Sequence, residues 1–136
     1  MAADQRSRGH AVLLVGLAAY SAMAALYAVV PAGVPGTGLI RILPGRDLAA
    51  HALVSGGLAL LLCCALSAAG RSAFAAARLA IILACAYALI LEVVQAFIPW
   101  RTWSRNDLAA SLAGILFAVG GWAAAQRLVR GPRPLV

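Results

Sequence analysis

Apolar residues along this chain gather into four long blocks, Ala11 to Val30, Ala52 to Ala69, Leu79 to Ile98 and Leu108 to Ala125, separated by polar, proline-bearing or glycine-bearing breaks. Each block approaches the roughly 18 to 20 residues a helix needs to cross the hydrocarbon core of a bilayer. Backbone groups in lipid must be satisfied within their own segment, and four short stretches cannot close a barrel, so the pattern predicts helices. The expected fold is all-α, a polytopic membrane protein with a four-helix transmembrane bundle over residues 11–125 and tails at 1–10 and 126–136. Two breaks, Gly70 to Arg78 and Pro99 to Asn106, are short and predict an up-down series for the last three helices. The break from Pro31 to Arg46 holds three prolines and four glycines, which exclude a long regular element. Its Leu39-Ile40-Arg41-Ile42-Leu43 patch suits either an interfacial hairpin or an ordinary external loop.

Composition agrees with the pattern: 64% of residues are hydrophobic, 11% are charged and the mean hydropathy is +0.94, values of integral membrane proteins rather than soluble domains. The net charge of +7 changes the picture less than it first promises. All eleven basic residues are arginines scattered over every break and both tails, which argues against a nucleic-acid surface and for topology signals. Arg6, Arg8, Arg71, Arg78, Arg127, Arg130 and Arg133 fall on one side, and Arg41, Arg46, Arg101 and Arg105 on the other. The positive-inside bias then places both termini in the cytoplasm. Arg6 and Arg8 ahead of Ala22-Met23-Ala24 also fit a cleaved signal peptide, but the apolar run continues through Val30 and suits a retained helix better. Cys63, Cys64 and Cys85 lie in apolar runs without metal-like spacing and read as small hydrophobes. Tyr20, Met23 and Tyr27 share one face of the first helix, and Gly114, Ala118 and Gly121 form a small-residue stripe on the last, both read as packing features.

Polar residues inside these blocks carry the chemistry, because ionisable groups at membrane depth are costly. Asp47 and His51 lie one turn apart at the start of the second helix, with Ser55 one turn further on the same face. Glu92 and Gln95 approach the end of the third helix, and Asp107 and Ser111 follow one face from the start of the fourth. Antiparallel helices bring these groups to one depth near the outer surface. Capping offers a plainer role for Asp47 and Asp107, with Ser104 or Asn106 as alternative caps of the fourth helix. Glu92, nearly two turns into an apolar helix, must be protonated, paired or hydrated. Arg101 is the expected ion partner, and Trp100 and Trp103 the expected interfacial anchors. A closed network of these groups would be structural glue; the same groups around water would be a site.

The order Asp47-x3-His51, then Glu92-x2-Gln95-x3-Pro99-x-Arg101-x2-Ser104-x2-Asp107 and Gly114, resembles the signature of the VanZ-like membrane proteins, a family named for a glycopeptide (teicoplanin) resistance protein of Gram-positive bacteria. The match runs over the last three helices. It implies a multi-pass protein of the bacterial cell envelope that affects glycopeptide susceptibility, without implying a reaction. The chain departs from the family pattern at Leu48, where a lysine is common, at Ala52, where an aromatic is common, and at Ser111, where an asparagine stands.

Two functional expectations follow. In the first, the outer polar pocket of a non-enzymatic membrane protein engages a lipid-linked cell-wall precursor or a lipoglycopeptide, with membrane lipids as further partners and no nucleic acid. In the second, His51 with Glu92, Asp47 or Asp107 performs acid-base work on a lipid-linked substrate; a further alternative is a proton-coupled carrier or accessory subunit with Glu92 as its proton site. One histidine with carboxylates is thin evidence for metal at this level, so neither a metal nor another cofactor is expected.

Overall fold

A computed structural model describes residues 2–29, 46–99 and 104–130. The described residues form four helices, α1 (Ala2–Val29), α2 (Arg46–Ala68), α3 (Ala73–Ala96) and α4 (Arg105–Arg130). Three spans, Leu48–Ala68, Ala73–Ala96 and Arg105–Val129, are long and apolar enough to cross a membrane, while the apolar part of α1, Ala11–Leu26, is shorter. The chain is thus an all-α membrane bundle.

Helix limits differ from the apolar blocks in instructive ways. Residues 2–10, expected as a tail, continue α1, and α4 runs to Arg130 rather than stopping at Ala125. Neither segment contains a proline, and Ala, Gln and Arg sustain a helix without apolar character. The basic loop expected from Gly70 to Arg78 contracts to a turn, because Ser72 caps α3 by accepting from the Ala75 N–H at 3.3 Å. Gly70, at φ 82°, supplies the left-handed residue that stops α2. Arg78 therefore lies within α3, its guanidinium 6.0 Å from the centre of the Phe74 ring. The break from Pro31 to Arg46 falls outside the described residues except for Arg46, which opens α2.

Alanines form the apolar buried stripe of α3, larger side chains from α2 and α4 complete the interior, and many large apolar side chains face outward. α2 packs against all three other helices, while α1 touches only α2 and α3 among the described residues. The core joins Leu58, Ala59, Leu62 and Cys63 of α2 to Ala76, Ala80 and Ala84 of α3 and to Ile115, Val119 and Trp122 of α4. Val12, Leu53, Phe74 and Phe117 are at least 72% exposed. Lipid solvates such side chains well, so association between helices in a membrane depends on close packing rather than on withdrawing apolar surface. The tightest approach is between α2 and α4. A Cβ built on Gly114 would collide with the carbonyl oxygen of Ala52, and one on Gly56 would lie 2.8 Å from the carbonyl oxygen of Gly114. Gly121, expected in the same stripe, faces open space, because the contact is made by Gly114 and Ala118 against Ala52 and Gly56.

Hydroxyl groups attach α1. Tyr20 donates to the carbonyl of Val54 at 2.8 Å, and Tyr87 of α3 donates to the carbonyl of Ser21. Met23, placed with Tyr20 by helical spacing, is instead 70% exposed.

Candidate polar site

The buried face of α3 is Ala76, Ala80, Ala84, Ala88, Glu92 and Gln95. Four alanines at four-residue spacing keep α3 close to its neighbours, and the same stripe delivers Glu92 into the bundle, where its side chain is only 2% exposed. His51, in the second turn of α2, comes to it from one side. Asp107, in the first turn of α4, comes from the other.

The imidazole stands between the two carboxylates. His51 Nδ1 lies 3.6 Å from Glu92 Oε1, and His51 Nε2 lies 3.8 Å from Asp107 Oδ2. Exposure rises from Glu92 at 2% through His51 at 16% to Asp107 at 20%, so the cluster opens at the Asp107 side. One ligand-type atom from each of the three residues lies within 4.8 Å of the others, a grouping that can hold a metal ion. No linear motif announces it, since the three residues come from three helices.

A small crevice adjoins the imidazole. Its volume is about 20 Å³, and its polar lining is His51, Ser55, Gln95 and Ser111. Ala24, Val54, Ala88 and Leu91 contribute apolar walls. That volume is room for about one water, which would find several polar partners there. Ser55, Gln95 and Ser111 are all buried.

The structure thus brings together His51, Ser55, Glu92, Gln95, Asp107 and Ser111, six of the residues expected to share one depth. Ser104 precedes α4, and its carbonyl accepts from the Leu108 N–H at 3.3 Å, a position at the helix start rather than in the crevice. The side chain of Asp47 and all of Trp100, Arg101 and Trp103 lie outside the described residues, so the expected Arg101 contact and aromatic belt do too. Sequence reading missed Tyr87 and the crevice wall from α1. The usable signal for Tyr87 was a phenol in mid-helix, which needs an acceptor at membrane depth.

Comparison with known proteins adds no relative: no family model, no curated protein and no solved structure matches this chain.

Proposed function

We propose that this chain is a VanZ-like protein of a bacterial cell membrane, with both termini cytoplasmic, whose outer-leaflet polar site engages the polar end of an amphiphile and so alters glycopeptide susceptibility. The observation that carries this reading is the convergence of His51, Glu92 and Asp107, which belong to the motif behind the resemblance, on one point from three helices. A purely lipid-packed bundle has no need of such groups, which are expensive at membrane depth. The crevice beside them combines four polar residues with small apolar walls, a lining suited to a hydroxyl or phosphate-type oxygen at the tip of an amphiphile. Ser111, standing where the family pattern has asparagine, leaves more space in that lining. A lipid-linked cell-wall precursor and a lipoglycopeptide both present such chemistry.

The gradient of exposure from Glu92 to Asp107 across one imidazole favours a second reading, acid-base chemistry on a lipid-linked substrate. Susceptibility to teicoplanin separates a functional site from a structural one. Cells expressing the chain should tolerate more drug than empty-vector cells. Glu92→Gln should lose most of that protection at equal membrane abundance and thermal stability. Absence of any protection by the wild-type chain, or full protection by a stable Glu92→Gln protein, overturns the reading. Product release from a lipid-linked precursor incubated with the purified chain would favour the enzymatic alternative.

A further inference from the structure

We infer that the end of the bundle opposite His51, built from the α2–α3 turn, the first turns of α3 and the last turns of α4, is a docking surface for anionic phospholipid headgroups. The inference is independent of the amphiphile reading, because this end lies roughly 25 Å along α2 from His51.

Charge is the first observation. Arg6, Arg8, Arg71, Arg78, Arg127, Arg130 and Arg133 belong by sequence to this end, against one acid, Asp4. Arg71, Arg78 and Arg127 are the ones whose side chains are described, and all three are exposed. None of the three makes an ion pair among the described residues. The other end is mixed in sign, with Asp47 next to Arg46 and Asp107 two residues after Arg105.

Depth is the second. Ala76 of α3 and Trp122 of α4 belong to one core cluster. Arg71 precedes Ala76 by five residues and Arg127 follows Trp122 by five, which carries each about 7 Å beyond that core. Arg78 lies about 3 Å to the other side of Ala76, inside the apolar span Ala73–Ala96. Helical side chains lean toward the N-terminus of their own helix, so Arg78 leans outward to this end while Arg127, on an antiparallel helix, leans inward from it. The two guanidinium groups are directed toward one layer. With the apolar spans in hydrocarbon, that layer holds the phosphates of one leaflet.

Apolar neighbours are the third. Phe74 is 77% exposed with the Arg78 guanidinium 6.0 Å from its ring centre, and Leu128 and Val129, beside Arg127, are 84% and 86% exposed. Exposed apolar groups interleaved with arginines suit a molecule that carries acyl chains beneath its phosphate, and they serve no purpose toward a soluble anion. Guanidinium forks match phosphate oxygens. A net-anionic headgroup is preferred to a zwitterionic one, which brings a cation of its own.

The test uses the full chain in detergent, with phosphatidylglycerol and phosphatidylcholine of the same acyl chains as probes and bound lipid counted by native mass spectrometry. Phosphatidylglycerol should bind at least 10-fold more tightly and raise the thermal midpoint further, and the preference should fade as salt rises from about 0.1 to 1 M. Arg71→Gln, Arg78→Gln and Arg127→Gln should each lower the preference by about 2- to 5-fold, up to the worth of one basic residue at an anionic surface, and the triple variant should remove it. Lysine at the same three positions should keep most of it, and Arg46→Gln, at the opposite end, should leave it unchanged. Inorganic phosphate alone at matched ionic strength should neither raise the midpoint nor displace the lipid. If the triple glutamine variant fails to fold, the single and lysine variants decide the matter. The inference is overturned if phosphatidylglycerol binds no better than phosphatidylcholine, if the preference survives in the glutamine variants, if lysine loses it as fully as glutamine or Arg46→Gln loses it equally, or if inorganic phosphate reproduces the effect.

Discussion

Substituting Gly114 by alanine tests the geometry that holds the site together. A Cβ at this position would lie 2.7 Å from the carbonyl carbon of Ala52 and 2.8 Å from its Cα, with the carbonyl oxygen closer still, against 3.4 Å or more in ordinary contact. The shortfall is roughly 0.6–0.7 Å at the two carbons, deep in the repulsive wall. All three obstructing atoms are backbone, so no side chain can rotate away, and α2 and α4 must separate. Overpacking of this kind costs about 1–3 kcal/mol, with the upper end expected for a backbone clash. Better helix propensity returns up to about 1 kcal/mol. The net expectation is a loss of roughly 1–2 kcal/mol, about 4–7 °C in thermal midpoint for a chain of this size. His51 adjoins Ala52, and Ser111 and Asp107 lie one and two turns before Gly114, so the same separation should lengthen the 3.8 Å contact of His51 with Asp107. Thermal unfolding in detergent, run beside Gly120→Ala and Gly121→Ala, provides the comparison. Those two glycines face open space, and alanine there should be neutral or stabilising. A Gly114→Ala protein as stable as these controls would refute the close α2–α4 crossing.

The attachment of α1 makes a separate expectation: Tyr20→Phe should lower stability by about 0.6 kcal/mol, the average for interhelical hydrogen bonds in membranes, and by no more than about 1.7 kcal/mol. Because Tyr87 donates to Ser21 independently, Tyr20→Phe with Tyr87→Phe should release α1 to added protease, whereas unchanged cleavage would mean that other contacts hold it. Topology is checked by cysteine labelling after the native cysteines are replaced. A cysteine at Thr37 should react with an impermeant reagent from outside and one at Ser72 should not, and the reverse pattern would invert the proposed orientation.

Helix number, membrane class and the residues worth watching were readable from the chain alone, because each follows from local composition. Apolar length sets whether a segment can span, and a glutamate such as Glu92 in an apolar run is anomalous whatever surrounds it. Depth along each helix was readable too, since rise per residue is constant and short turns force antiparallel neighbours. That is why His51, Glu92 and Asp107 were expected at one level before any contact was known.

Which way those residues face depended on packing. Helical spacing allowed Tyr20 and Met23 to share a face, yet only Tyr20 found carbonyls to bond, and Met23 turned outward. Spacing likewise admitted Gly121 to the small-residue stripe, but the α2–α4 crossing centred on Gly114 and left Gly121 outside. The alanine stripe of α3 carries almost no signal in the sequence, because alanine is abundant on every helix, and only the bundle shows that it steers Glu92 inward. The difference has one physical origin. In lipid, burial is decided by how closely backbones can approach and by where polar groups find partners. Those are properties of pairs of helices, and a single segment does not contain them.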